Sequence, residues 1–240
     1  VMTKDGVLIC SHDIEADHTT NAAEVFAGRA RLDDHIYYSD LTLDEARQLE
    51  VRGRDGTGRG YRIVTLDEMI ALVQRLNTEF GRDVGIVPEI KKPKEHAAAG
   101  LDPARELAAV LARHGYTTRS DRSIIQCFDL ETLRRLRRDI GCDLPMVWLI
   151  DTDPTDAQLD DAAAFVDAVS PSRKLLEIEA DGRIQPTGLA GRIKSRGLKL
   201  YSWTFKDEPG AMARFWREHG CDGLYTDNPD VGVRARDGLR

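Results

Sequence analysis

Residues 146–169, MVWLIDTDPTDAQLDDAAAFVDAV, contain the pattern that decides the fold. The apolar run Met146–Ile150 predicts a buried strand, Asp156–Phe165 predicts a helix, and Val166–Val169 predicts a weaker strand. A strand, a helix and a further strand in succession form the unit from which parallel sheets are built.

The same alternation extends through the rest of the chain after residue 83 and predicts six strand–helix units. The other predicted elements of these units are the strands 84–87, 123–127, 198–203 and 223–226 and the helices 102–114, 129–139 and 210–219. Strands that alternate with helices favour an α/β fold with a parallel sheet.

The N-terminal residues add a further strand. Val1–Thr3 and Val7–Cys10 are apolar runs on either side of Asp5-Gly6, which is a strong hairpin signal. Six units and this strand approach the eight of a (β/α)8 TIM barrel, whose usual length of about 250 residues is close to the 240 residues here. The open doubly wound sheet is the alternative, but its glycine-rich phosphate turn is absent from the sequence.

Residues 13–60 are polar and interrupted by glycines, and we predict that they belong to an insertion in the barrel. The glycine-rich stretch Arg52–Arg62, which extends just past the end of this insertion, predicts an exposed loop. A complete barrel with such an insertion needs about one or two more units at its front. We therefore expect a single barrel domain over residues 1–240 whose N-terminal strand or strands are missing from this chain.

Two capping boxes predict where helices begin. Thr42–Glu45 has the spacing of such a box and predicts a short helix over Thr42–Glu50. Thr65–Glu68 has the same spacing and predicts a helix that ends near Glu79.

Composition argues against several classes of protein. Lys and Arg number 34 and Asp and Glu number 41, so the net charge of −7 argues against nucleic-acid binding. No apolar run approaches the roughly 20 residues of a membrane-spanning helix, and no signal-peptide pattern is present. No CxxC pair occurs, which argues against a zinc site of that kind, and we expect buried thiols. The cysteines are Cys10, Cys127, Cys142 and Cys221.

Pro88-Glu89-Ile90-Lys91 is the most informative tetrapeptide. In a strand, alternation places Glu89 and Lys91 on one side and Ile90 on the other. A carboxylate beside an ammonium at the carboxyl end of a parallel strand suits a divalent metal ion next to an anion. A plain ion pair at a strand end is the alternative interpretation.

His12 is the histidine that the pattern places at a strand end beside an acid, Asp13. It could act as a general acid or base, or it could be a hydrogen-bonded loop residue. Trp203 ends another predicted strand, where barrel filling is the common role of a tryptophan. We predict that the other histidines are surface or helix-capping residues. They are His18, His35, His96, His114 and His219.

These residues resemble the glycerophosphodiester phosphodiesterases. The resemblance lies in the order and spacing of motifs along nearly the whole chain. The motifs are Val1–Gly6 with Ser11–Asp13, Pro88–Lys91, Gln126–Asp129 and Tyr225–Asp230. Tyr37–Glu45 is most similar to the periplasmic bacterial branch of the family.

The resemblance implies a (β/α)8 barrel with an insertion after the second strand. It also implies hydrolysis of a glycerophosphodiester, such as glycerophosphocholine, to glycerol 3-phosphate and an alcohol, which belongs to glycerol and lipid metabolism. It further implies that one divalent ion, Ca²⁺ or Mg²⁺, is a cofactor of this hydrolysis. By motif match, His12 is a catalytic acid or base, Glu89 a metal ligand, Lys91 a phosphate contact and Trp203 part of the substrate pocket. A periplasmic or secreted location follows, with the cytoplasm as the alternative.

The chain departs from the family at two places. The family's first strand carries His-Arg-Gly, which supplies the second histidine and a phosphate-binding arginine, and this chain has no such motif. The family also has two metal ligands in a Glu-x-Asp motif, which stands just before the position that matches Val1 and so has no counterpart at that place in this sequence. Loss of a general acid or base costs about 10²–10⁴-fold in rate, so we expect weak or no activity from this chain alone. A non-catalytic barrel that acts as a binding protein and a sphingomyelinase-D-like lipid phosphodiesterase are the alternatives.

Overall fold

A computed structural model describes residues 1–53, 58–180 and 182–239, without the side chains of residues 58, 59 and 180. The described chain divides into two units. Unit 1 comprises Val1–Ile125 and Arg135–Leu144, and unit 2 comprises Gln126–Arg134 and Pro145–Arg240.

Unit 1 begins with the predicted hairpin. Met2 and Leu8 form an antiparallel bridge, and the Thr3 amide donates to the Val7 carbonyl at 2.9 Å. Gly6 has a φ of +84°, a left-handed conformation that glycine adopts without a steric penalty. The Asp5-Gly6 signal therefore locates the turn correctly.

The other elements of unit 1 are mostly short, apart from two longer helices. In chain order they are α1 (Ala22–Val25), α2 (Leu43–Ala46), β1 (Glu50–Arg52), β2 (Gly58–Arg62), α3 (Leu66–Phe80), β3 (Glu89–Ile90), α4 (Pro93–Ala98) and α5 (Pro103–Arg113), with a 3-10 helix at Tyr38–Asp40.

Both predicted capping boxes are present. In the first box, the Thr42 hydroxyl accepts from the Glu45 amide and the Glu45 carboxylate accepts from the Thr42 amide. Thr65 and Glu68 exchange the same two hydrogen bonds in the second box. The α3 helix ends at Phe80, close to the predicted end. The α2 helix ends at Ala46 rather than near residue 50, because the chain is already in strand β1 from Glu50 onwards.

The predictions for two segments of unit 1 are wrong. In the described part of segment 52–62, Arg52 ends β1 and Gly58–Arg62 form β2, which pairs antiparallel with β1 rather than forming a loop. Residues 54–57 of the predicted loop lie outside the described chain. Val51 lies opposite Tyr61 in this ladder, and such β-forming residues outweigh the glycines that suggested a loop.

The predicted strand 84–87 is reduced to a bridge between Ile86 and Ser123, and the ladder of β3 begins only at Glu89. Asn77 explains the difference, because its side-chain amide donates to the Val84 carbonyl and accepts from the Val84 amide. Those backbone groups are thereby occupied outside any sheet.

The core of unit 1 joins the hairpin to the predicted insertion. Its buried residues come from both segments, so residues 13–60 are packed rather than loosely attached. They are Val1, Ile9, Ile14, Ala16, Ala22, Ile36, Tyr38, Leu41, Ala46, Leu49 and Ile63.

Strand β4 (Ile125–Cys127) and helix α6 (Leu130–Arg138) contain residues of both units. The elements of unit 2 that follow are β5 (Met146–Ile150), α7 (Asp156–Ala162), β6 (Ala168–Pro171), β7 (Glu177–Ala180), β8 (Arg183–Pro186), α8 (Leu189–Lys194), β9 (Lys199–Phe205), α9 (Pro209–Glu218), β10 (Gly223–Thr226) and α10 (Pro229–Asp237), with a 3-10 helix at Arg173–Leu175. The described chain after residue 83 thus contains the six predicted strand–helix units.

Parallel pairing orders β5, β6, β9 and β10 side by side in unit 2. Every residue of Met146–Ile150 is buried, as expected for a parallel strand that is covered on both faces. Three features of this unit are not predicted by the sequence pattern: the β7–β8 hairpin, whose second strand is fully exposed, helix α8 and helix α10.

All four cysteines are free thiols. Cys127 and Cys221 are buried and the other two are partly buried. Burial raises the pKa of Cys221 to about 12, which keeps this thiol protonated. Within the described residues, none of the helices has the length and apolar character that a bilayer crossing requires.

Candidate active site

His12 and Asp13 follow the N-terminal hairpin and form a pair. His12 Nδ1 lies 2.8 Å from Asp13 Oδ1, and the His12 side chain is 80% exposed. A carboxylate accepts only, so the hydrogen bond assigns the proton to Nδ1 and makes Nε2 the acceptor nitrogen of the ring. The imidazole is thus oriented and accessible to a ligand.

Strand β3 presents Glu89 and Lys91 on one side. Their side chains are each 18% exposed and Lys91 Nζ lies 2.9 Å from Glu89 Oε1, whereas Ile90 is buried at 4% exposure. The alternation predicted from the tetrapeptide is therefore correct. The predicted carboxylate and ammonium face the same space.

Lys91 connects this pair to the histidine. Lys91 Nζ lies 3.4 Å from His12 Nε2, although 79 residues separate the two in sequence. Unit 1 therefore brings together His12, Glu89 and Lys91, three of the four site residues that the sequence singles out. A cation, a titratable nitrogen and a carboxylate within contact distance suit an anionic ligand that must exchange a proton.

Glu89 also fits a divalent cation. Its Oε1 atom is buried and accepts no hydrogen bond from the described residues, although the Lys91 ammonium lies 2.9 Å away as an ion-pair partner. A buried carboxylate oxygen of this kind normally has a partner. Mg²⁺ is commonly held by one or two carboxylates together with waters and substrate phosphate oxygens, so a single protein carboxylate is sufficient for such a site.

Asp13 is held in its charged form. Burial raises its pKa, but hydrogen bonds and charge from His12, followed by His18, outweigh burial and leave the pKa below the ordinary value. His18 Nδ1 is 3.5 Å from Asp13 Oδ2. Asp13 therefore remains an acceptor for His12 at neutral pH.

The prediction that the other histidines are surface or capping residues is wrong for His96, and His219 takes the predicted capping position at the end of α9 but is buried. His96 is 2% exposed, and its Nε2 accepts a hydrogen bond from the Met2 amide at 2.9 Å. His219 is 6% exposed and lies 3.0 Å from Glu177 Oε1. Both polar rings are buried because each has a specific partner, which helix position alone does not reveal.

His18 and His35 form a group with Asp17. Their ligand atoms all lie within 4.8 Å of one another, which makes this the one group of three or more possible metal ligands in the described part of the chain. No local pattern in the sequence points to this group, because His18 and His35 lie in separate loop segments.

Unit 2 contains the fourth predicted residue, Trp203. Its indole nitrogen donates to the Ser170 carbonyl at 2.9 Å, and its ring meets Phe128 edge to face at 5.5 Å between centroids. Phe128 is itself 39% exposed, and its carbonyl accepts from the Trp148 indole nitrogen at 3.1 Å. Trp203 is thus fixed in orientation and belongs to a partly exposed aromatic surface.

Comparison with known proteins identifies the class. The sequence profile of the Glycerophosphoryl diester phosphodiesterase family matches residues 1–231. The chain belongs to this family, whose members are phosphoric diester hydrolases. The resemblance seen in the motifs is confirmed.

Relatives with this name extend along the whole chain. A glycerophosphodiester phosphodiesterase of Haemophilus influenzae is 28% identical and is matched over 100% of this chain and 80% of its own length. One of Treponema pallidum is also 28% identical, over 98% of this chain and 81% of its own length.

Solved structures show the same fold. A putative glycerophosphoryl diester phosphodiesterase from Silicibacter pomeroyi has a TM-score of 0.73 at 21% identity and covers 100% of this chain and 82% of its own. An Oleispira antarctica phosphodiesterase in complex with the product sn-glycerol-3-phosphate has a TM-score of 0.71 at 17% identity, over 98% and 82% of the two chains. These neighbours are TIM barrels, so the predicted α/β class is confirmed.

Proposed function

We propose that this chain hydrolyses glycerophosphodiesters, such as glycerophosphocholine, to glycerol 3-phosphate and an alcohol, with one Ca²⁺ or Mg²⁺ ion as cofactor. The observation that carries the proposal is the contact of Lys91 with both His12 and Glu89. The product complex of the Oleispira relative supports the choice of substrate class.

Lys91 is the phosphate contact in this mechanism. A phosphodiester is an anion, and its reaction concentrates negative charge on the phosphate oxygens, which a fixed ammonium stabilises. Glu89 holds Lys91 at 2.9 Å and so limits where that ammonium can lie. When bound at Glu89, a Ca²⁺ or Mg²⁺ ion supplies further neutralisation of the phosphate charge.

His12 moves the proton. With Nδ1 donating to Asp13, Nε2 accepts a proton from an attacking hydroxyl or, once protonated, delivers one to the departing alkoxide. Because Nε2 lies 3.4 Å from Lys91 Nζ, a phosphate on Lys91 would be within reach of this nitrogen. The Asp13 carboxylate stabilises the imidazolium that forms.

Trp203 is proposed to line the substrate pocket. The hydrogen bond to Ser170 and the edge-to-face contact with Phe128 hold the indole in place. A fixed aromatic surface suits the glycerol carbons or the cationic head group of glycerophosphocholine. We also propose a periplasmic or secreted location, which the similarity of Tyr37–Glu45 to the periplasmic branch supports.

Turnover of glycerophosphocholine tests the proposal, with glycerol 3-phosphate as the measured product. The chain should be treated with a chelator and then assayed with Mg²⁺ or Ca²⁺ restored, at high protein concentration because the activity is expected to be weak. Slow release that needs the metal supports the proposal. Glu89→Gln should require a higher metal concentration.

Two results would favour the alternatives. Binding of glycerol 3-phosphate without turnover at any metal concentration would indicate a non-catalytic binding protein. Release of choline from sphingomyelin in preference to glycerophosphocholine would indicate a sphingomyelinase-D-like enzyme.

A further inference from the structure

Asp17, His18 and His35 meet in the N-terminal half of unit 1. His35 Nδ1 is 2.8 Å from Asp17 Oδ2, and the two imidazole rings lie edge to face with centroids 4.9 Å apart. Two imidazoles and one carboxylate are therefore adjacent, although the chain segments that carry them are 17 residues apart.

The carboxylate of this group is already oriented. The Ile36 amide donates to Asp17 Oδ1 at 2.8 Å, and Asp17 Oδ2 faces His35 Nδ1. An outer hydrogen bond of this kind is what orients the ligands of protein metal sites.

Two further carboxylates border His18. Its Nδ1 lies 3.5 Å from Asp13 Oδ2 and 3.8 Å from Glu15 Oε2. Negative charge therefore surrounds the imidazoles on a chain whose overall charge is also negative. A cation placed here would be attracted to the site before any ligand bond forms.

We propose that Asp17, His18 and His35 form a site for a transition-metal ion of the Zn²⁺ type. Imidazole and carboxylate donors suit Zn²⁺, Ni²⁺ or Cu²⁺ rather than the oxygen-preferring Ca²⁺ and Mg²⁺. None of these three residues belongs to the proposed metal site at Glu89. Binding here does not depend on the proposed reaction.

The geometry needs only small movements to bind the ion. In a tetrahedral zinc site with bonds of about 2.0–2.1 Å, neighbouring ligand atoms lie roughly 3.3 Å apart. The present atoms lie within 4.8 Å, and the side chains of His18 and His35 are 42% and 39% exposed, so they can rotate and the ion can reach them. A neutral imidazole that binds through Nδ1 carries its proton on Nε2 instead, whereas a protonated imidazole releases one proton to water on binding.

Binding would link two parts of the insertion. Asp17 and His18 precede α1, whereas His35 lies just before the 3-10 helix at Tyr38–Asp40. An ion held by both segments binds only when they are folded together, so it stabilises the folded state by mass action.

The test is a calorimetric titration of the metal-free full chain with ZnCl2, together with thermal melting curves measured with and without ZnCl2. We expect one Zn²⁺ ion per chain and a rise in melting temperature. His18→Gln and His35→Gln should each weaken the affinity by about 100-fold or more, beyond the typical 10–100-fold effect of losing an outer partner.

Two control variants separate this site from others. His114→Gln removes a comparable pair, His114 Nε2 to Asp67 Oδ1 at 2.9 Å, that has no second imidazole, and it should bind Zn²⁺ normally. Glu89→Gln should also bind Zn²⁺ normally. Unchanged Zn²⁺ affinity in His18→Gln and His35→Gln, or loss of binding in Glu89→Gln, would overturn the proposal.

Discussion

Asp13 holds His12 Nδ1 and so helps to give the imidazole ring a defined orientation. The carboxylate accepts from His12 Nδ1 at 2.8 Å and keeps a lowered pKa, so it stays charged through the neutral range. Without it, an imidazole that is 80% exposed would rotate freely and could carry its proton on either nitrogen. Asp13 is therefore a positioning residue for the proposed proton transfer.

Asp13→Asn should lower kcat roughly 10- to 100-fold while changing KM little, because the amide can no longer favour the required tautomer. The pH profile of kcat should change as well, since the stabilised imidazolium is lost. Asp13→Glu should restore part of the rate. An unchanged pH profile in Asp13→Asn would show that the pair has no role in proton transfer.

His96 predicts a dependence of stability on pH. Burial lowers its pKa below the ordinary value of 6.5, and the Met2 amide donates to Nε2, which only a neutral ring can accept. The unfolded chain therefore binds a proton more readily than the folded chain. The stability from this residue is complete above about pH 6.5 and is lost as pH falls from there towards the lower folded-state pKa.

Urea unfolding from pH 7.5 to pH 5 measures this effect. The free energy of unfolding of the wild type should fall over that interval. His96→Gln cannot titrate, so its free energy of unfolding should fall less steeply. Equal slopes for the two proteins would show that His96 is not the group responsible.

At the scale of elements, the two capping boxes offer a direct comparison. Thr65→Ala removes the hydroxyl that accepts from the Glu68 amide at the start of α3, and we expect a loss of about 1 kcal/mol in the free energy of unfolding. Thr78→Ala is the matched control, because Thr78 lies inside the same helix and its hydroxyl only donates to the Gln74 carbonyl. A loss at position 78 equal to that at position 65 would contradict the capping argument.

Elements defined by local signals could be predicted from sequence. The capping box at Thr65, the Asp5-Gly6 turn and the apolar run Met146–Ile150 all depend on neighbours within a few residues. The pairing of β1 with β2 and the start of β3 could not be predicted, because they depend on less local contacts, such as Val51 with Tyr61 and Asn77 with Val84.

The candidate site also contains residues that could be predicted from the sequence, whereas the metal-ligand group near it could not be predicted. Strand alternation was sufficient to place Glu89 and Lys91 together, and a strand end was sufficient to single out His12. The group of Asp17 with the two histidines could not be predicted, since nothing local relates His35 to residue 17. Such contacts arise from the packing of the insertion around its own core.

At the scale of the whole molecule, family membership and site geometry lead to the same chemistry. The family profile covers residues 1–231, and the structure brings His12 to Lys91 across 79 residues of sequence. We propose that His12 and Lys91, with Glu89 beside them, perform phosphodiester hydrolysis.

The most direct test is glycerophosphocholine turnover, followed by phosphorus NMR with Mg²⁺ present, for the wild type, His12→Gln and His114→Gln. We predict slow turnover by the wild type, a further loss of about 10²–10⁴-fold in His12→Gln, and an unchanged rate in His114→Gln, which loses a comparable histidine–carboxylate pair. A measurable rate of turnover that is equal in His12→Gln and the wild type would contradict the account.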